Sequence, residues 1–222
     1  MPRPSRAAPP GSGTPAVVWW LLGINVAVYI AWQMAIRQGP DSGAVQFMSA
    51  QFLVSTEAMV HGRVWTLITS TFSHIAPMHL FVNMLALWVF GRDVAKVTKI
   101  FGFVQLYLVG GLIASLGHVA FSLISGQLNP ALGASGSVMA IAVVYAALFP
   151  KRILLLNFFI PVPAALAVGV FILLDLAGVF GGVNPGVAHA AHLGGALYGL
   201  IYWAIRVRPK VNEYKRRGAW LE

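Results

Sequence analysis

The chain of 222 residues is 58% hydrophobic, only 9% charged and carries a formal net charge of +9. Soluble domains hold about 25% charged residues, so this composition excludes an ordinary soluble fold and marks a polytopic membrane protein. The lack of cysteine excludes disulfides, Cys-based metal sites and a thiol nucleophile, and Lys and Arg lie in short patches between apolar runs, a pattern of topology signals and not of a nucleic-acid surface.

Residues 1 to about 15, rich in Pro, Gly, Ser and Arg, read as a disordered tail. The apolar run from Ala16 to about Ile36 is long enough to span a bilayer. It exceeds the ~7–15 residues of a signal-peptide core, and no small-x-small cleavage site follows. Residues 37–75 form a connection of mixed polarity containing Trp65, long enough to be functional or to carry structure of its own. A second helix is predicted from about Ala76 to Phe90, with Pro77 acceptable in its first turn. After a basic turn at Arg92, Lys96 and Lys99, a third runs from about Ile100 to Ile124. An uncharged loop leads to Ser135 and a fourth helix to about Phe149, followed by basic Lys151 and Arg152. Pro161 and Pro163 predict an interfacial or kinked lead-in before a fifth helix at about 164–180. A Gly/Asn loop (181–186) then precedes a sixth at about 187–205 and a basic tail, 206–222.

Six spans put both termini on one side. With the termini cytoplasmic, thirteen Lys and Arg residues lie inside, and only Arg37 and Arg63 lie outside, as the positive-inside rule requires. Helices 2, 4 and 6 then start at the outer face. His79 and Asn83 lie one turn apart on helix 2, Ser135 opens helix 4, and His189 and His192 open helix 6. At 1.5 Å per residue these groups converge roughly 5–10 Å below that face. Polar groups at membrane depth are costly and mark function. A serine, histidines and an amide at one level fit a hydrolytic site. Gly133 and Gly136 flank the serine, whose hydroxyl sits among the free N–H groups of a helix start, a setting that suits a nucleophile and equally a plain N-cap. Gly195 and Gly199, one turn apart on nearly the face of His192, and Ala140 and Ala147 on helix 4 allow a close approach of these two helices.

Three motifs carry a family resemblance: Gly133-Ala134-Ser135-Gly136; Ala188-His189-Ala190-Ala191-His192-Leu193-Gly194-Gly195 with Gly199; and His74-Ile-Ala-Pro-Met-His79-Leu-Phe-Val-Asn83 with the upstream Trp65. In their order and spacing they resemble the rhomboid family of intramembrane serine proteases, over about Trp19 to Ile205. The resemblance implies an all-α, six-helix membrane bundle over 16–205, without cofactor. Ser135 would be the nucleophile and His192 the general base, a dyad and not a triad. His79 and Asn83 would be the oxyanion donors with the Ser135 N–H. The 37–75 connection would be a partly embedded loop, and helix 5 with the loop after it a gate for a transmembrane substrate. The partners would be transmembrane proteins and the bilayer itself. Three departures stand out: Trp65 is followed by Thr66 where Trp-Arg is common, Ala95 replaces an acid with Asp93 nearby, and Met139 replaces an aromatic residue one turn after the serine.

Other readings of the same residues are structural. His189 and His74 read as supporting, and His61 and His118 as interfacial. Asp175, near the outer end of helix 5, reads as paired with backbone or water before a histidine. A metal site is not expected, because no acid accompanies the histidine motifs. The rival functions are a non-catalytic rhomboid-like protein that binds membrane clients, and a small transporter. The latter would spread its polar residues through the membrane depth. The minimal form without a targeting extension predicts a bacterial inner membrane in preference to an organelle membrane, with the site toward the outer face.

Overall fold

The computed structural model describes residues 14–156, 159–181 and 188–216. The expected tail before residue 14, the loop at 182–187 and the end of the basic tail from 217 lie outside the described residues. Helix α1 spans Ala16–Ile36, as the apolar run predicts. In an apolar surround each polar side chain needs a protein partner, and α1 supplies two. Buried Asn25 donates to Leu21 O at 2.8 Å and to Tyr107 Oη at 3.0 Å. Buried Trp32 donates from Nε1 to Ser73 Oγ at 2.7 Å.

The 37–75 connection holds three short helices, α2 (Gly43–Phe52), α3 (Thr56–Val60) and α4 (Thr66–Thr69), then a 3₁₀ turn Ser70–Phe72. Ser42 and Ser55 cap the first two, accepting the N–H groups of Val45 and Ala58. Trp65 is 45% exposed. The anchors are Trp32–Ser73, Gln33 donating to Ile75 O at 2.9 Å, and an antiparallel bridge between Val54 and Ala131.

Helix α5 spans Pro77–Ser125 and is broken at Lys99, where φ is 63° and ψ 173°. The expected second and third helices are therefore its two arms. The basic turn predicted between them is helical except at Lys99 itself. Gly126 closes the second arm in the left-handed conformation, φ 71°. Helix α6 (Ser135–Leu148) runs through the middle of the molecule and is buried on most of its surface. The expected kinked lead-in is instead an antiparallel hairpin, β1 (Ile153–Leu156) and β2 (Ile160–Pro163), paired Ile153↔Pro163 to Leu156↔Ile160. Two prolines at alternate positions rule out helix, and a two-stranded ribbon tolerates them because both its strands are edges.

Helix α7 (Ala164–Gly181) follows, buried along one narrow stripe of Ala164, Ala167, Val168, Asp175 and Gly178. Helix α8 (His189–Tyr202) then continues through a π-turn, Trp203–Val207, into α9 (Arg208–Arg216). The last helix therefore runs beyond the predicted end at 205. α5, α6 and α8 form the core. Helices α6 and α8 approach backbone to backbone: a Cβ at Gly195 would strike the Gly136 carbonyl, and one at Gly199 would lie 2.9 Å from Ala140 Cα. By length and composition α1, α5 and α7 are each able to cross a membrane, and α6 is a shorter apolar helix. The helical membrane fold expected from composition is the one observed.

Candidate active site

Ser135 is the first residue of α6. Ahead of it Gly133 has φ 124°, which side chains rarely adopt, and a Cβ there would lie 2.7 Å from His79 Cε1. A glycine is thus what lets the imidazole of His79 lie against the backbone next to Ser135. Gly133 N–H donates to Ser70 O at 2.9 Å. Ala134 N–H donates to His74 Nε2 at 3.3 Å. His74 is buried, and burial first, then the neighbouring His79, pushes its pKa from 6.5 down to about 3. It is therefore neutral at physiological pH and free to accept the Ala134 N–H. Its supporting role has a definite content, since it fixes the residue before the serine. The rings of His74 and His79 meet edge to face, 4.9 Å apart.

His192 lies in the second turn of α8, on the side that the glycine contacts press against α6. Its Nε2 is 2.8 Å from Ser135 Oγ. Its Nδ1 is 2.9 Å from Asp175 Oδ1, and His189 Nδ1 is 2.8 Å from that same oxygen. A neutral imidazole has one donor and one acceptor nitrogen. With Nδ1–H given to the carboxylate, His192 keeps its Nε2 lone pair for the serine O–H. The site thus holds a serine, a histidine and an acid in line. The expected pairing of Asp175 with backbone or water is corrected, since its carboxylate meets two imidazoles.

The signal for Asp175 was present. It is the one acid of the chain that lies within an apolar run, and such residues usually have a polar partner at the same depth. The same three groups, Asp175, His189 and His192, offer ligand atoms within 4.8 Å of one another, so the reason given for expecting no metal does not hold. A metal there would occupy His192 Nδ1 and move its proton to Nε2. At His192, metal binding and proton acceptance therefore exclude each other.

Of the expected oxyanion groups, the His79 ring lies against Gly133 beside Ser135, and Asn83 sits one turn further along the same arm of α5. Buried Asn83 donates from Nδ2 to His79 O at 2.9 Å, which uses one of its two amide hydrogens. Below the serine lies a cavity of about 20 Å³, lined in part by Ser70, Thr71, Ser115, His118 and Gly133. That is room for one water. His118 is buried and held to Asn129 O at 2.9 Å, so it is not interfacial as expected. A larger cavity of about 740 Å³ lies against Arg208, Asn212 and Arg216. None of the groups that meet at Ser135 lines it.

Residues 61–209 match the family model of the rhomboid domain. The chain belongs to the rhomboid family. It is 36% identical over 207 residues to RHOMBOID-like protein 12, mitochondrial, of Arabidopsis thaliana, covering 86% of this chain and 58% of that protein. It is 33% identical over 214 residues to Rhomboid protein 1, mitochondrial, of Saccharomyces cerevisiae, covering 92% of this chain and 58% of that protein. To the Presenilin-associated rhomboid-like protein A, mitochondrial, of Danio rerio it is 32% identical over 185 residues, 82% of this chain and 45% of that protein. The chain spans about half the length of these curated relatives. All three are mitochondrial proteins. This overturns the expectation of a bacterial inner membrane.

Proposed function

We propose that the chain is an intramembrane serine endopeptidase that hydrolyses peptide bonds in or near transmembrane segments of other proteins. The observation that carries this reading is the 2.8 Å contact between His192 Nε2 and Ser135 Oγ in a helical membrane fold of the rhomboid family. His192 takes the serine proton as Oγ bonds to the scissile carbonyl carbon. The oxyanion so formed is met by the Ser135 N–H at the start of α6, the His79 imidazole and the second Asn83 amide hydrogen. His192 then gives its proton to the leaving amine as the C–N bond breaks. Water, deprotonated by His192 in turn, releases the acyl group and restores the serine. A substrate helix must unwind locally first, because its carbonyls are closed in internal hydrogen bonds.

The non-catalytic, client-binding reading is not favoured, since both serine and histidine are present and in contact. The experiment is cleavage of a transmembrane substrate in liposomes by wild type, Ser135→Ala and His192→Ala, with fluorophosphonate labelling alongside. Cleavage and labelling by wild type, abolished in both variants, is the expected result. Activity that survives Ser135→Ala overturns it. A wild type inert to several substrates and to the probe favours the client-binding alternative.

A further inference from the structure

The carboxylate of Asp175 is buried at the depth of the site and offers one oxygen to two imidazoles. Ionised carboxylates are expensive there unless hydrogen-bonded donors surround them. Both donors come from α8, one turn apart, and α7 is shaped for them. Gly178 lies one turn beyond Asp175 on the same inward stripe, and a Cβ at Gly178 would collide with the His189 ring. The His189 imidazole therefore lies flat against α7 beside the acid. It holds Oδ1 from one side while His192 meets it from the other. Serine and base sit on α6 and α8, which are locked by backbone contact, whereas the acid sits on α7, whose remaining surface faces outward.

We infer that Asp175 is the positioning acid of this site, orienting His192 toward Ser135 with His189 as its second anchor, so that a serine–histidine–aspartate arrangement is complete only when α7 is seated against α8. This rests on the Ser135–His192 reading. The charge balance supports it: as His192 takes the serine proton, the carboxylate gains an imidazolium beside it. A buried anion unpaired in the ground state becomes part of an ion pair in the transition state. Such an interaction, stronger in the transition state than before it, raises kcat and not affinity. A carboxylate that only fastened two helices together would contribute to stability and leave kcat alone.

The test uses the full chain in liposomes with a transmembrane substrate, comparing wild type, Asp175→Asn and Asp175→Glu. Asp175→Asn is expected to lower kcat by about 100-fold or more with KM within about threefold, and to slow fluorophosphonate labelling in proportion. Its kcat/KM profile against pH is expected to differ from that of wild type, a readout that a merely fastening carboxylate would not move. The other titratable groups facing His192, namely His79 from α5 and His189 from its own helix, are unchanged in the comparison. Asp175→Glu keeps the charge but displaces the oxygen, and is expected to recover part of kcat with a pH profile near that of wild type. Should Asp175→Asn fail to fold, Asp175→Glu decides alone: a kcat at least tenfold below wild type with the pH profile retained supports the inference, and a kcat within threefold overturns it. A folded Asp175→Asn with wild-type kcat and pH profile but a lower unfolding temperature makes Asp175 a helix fastener and overturns it as well. Either outcome differs from failure of the underlying reading, in which Ser135→Ala keeps its activity.

Discussion

Helices α6 and α7 are both predominantly apolar, yet they occupy opposite environments. α7 is among the most apolar segments of the chain, and only five of its 18 residues are buried. α6 buries ten of its 14 residues. The difference lies in size. α6 carries Gly136, Ser137, Ala140, Ala142 and Ala146 where it meets its neighbours, whereas α7 exposes Leu166, Phe171, Leu173, Leu174 and Phe180. In lipid, hydrophobicity gives no reason for one helix to prefer another, because the tails are as apolar as leucine; close packing of small residues does. The buried helix is thus the small-residue one, and the large apolar side chains face lipid.

The largest effect should come from breaking the contact between α6 and α8. Gly195→Val would put a side chain into the Gly136 carbonyl, where backbone and not a flexible side chain stands in the way. We expect loss of fluorophosphonate labelling by more than about 100-fold, since a displacement near 1 Å at a reacting pair costs that much, together with a clearly lower unfolding temperature in detergent. The matched change on α7, Gly169→Val, meets nothing within 4 Å and should leave labelling within twofold. If the two variants behave alike, the contrast between the helices is wrong.

Next in size is the pH dependence of the loop that sets Ser135 in place. Folded His74 stays neutral down to about pH 3, whereas in the unfolded chain it takes a proton below about 6.5. Between these values the unfolded state binds more protons, so the stability from this group is complete above pH 6.5 and is lost as pH falls toward 3. The slope is at most about 1.4 kcal/mol per pH unit. His74→Gln, which does not titrate, should be less stable than wild type at pH 7, and the gap should close as pH falls to 4. Thermal unfolding across that range measures it; a constant gap would mean that His74 is not buried neutral.

How much of this could be read from the chain follows the same line between local and spatial signals. The start and end of α1, the proline start of α5, the serine start of α6 and the pairing of Gly195 and Gly199 with α6 are all written in neighbouring residues, and the structure has each of them. The three short helices of the 37–75 connection are too short to set up a period. The hairpin at 153–163 hides in a Leu- and Ile-rich run whose two prolines fit a kinked or interfacial lead-in as well as a two-stranded ribbon. The break at Lys99 carries no glycine to announce its positive φ. Asp175 was visible as an isolated acid, but its partners lie 14 and 17 residues away on the next helix. Only the packing of α7 on α8 decides that both imidazoles reach one oxygen.

A smaller effect tests the outward face of α7. Leu173 is 65% exposed, so Leu173→Ala removes apolar surface that faces lipid and not protein. The change should shift stability by less than about 0.5 kcal/mol and leave cleavage within twofold. In a buried position of α6 such as Ile141, truncation to Ala should cost about 2–5 kcal/mol. Unfolding in detergent distinguishes them. Equal costs would mean that α7 packs against more protein than the described residues contain.

A further small effect lies at the far end of both helices, where the hairpin joins them. Arg152 donates to Asp93 and lies over the Phe149 ring at 4.1 Å. This ties the strand leaving α6 to α5. The Arg152 side chain is 44% exposed, and an ion pair open to water is worth about 0–1 kcal/mol, with a comparable amount for a cation over an aromatic ring. Arg152→Ala should therefore cost about 1 kcal/mol or less, and the ion-pair part of that cost should shrink in high salt. Ser135 labelling should not change, because no hydrogen bond described at the site passes through Arg152. A labelling rate that falls with this substitution would mean that the hairpin sets the position of α7, and with it the acid that α7 carries to the active site.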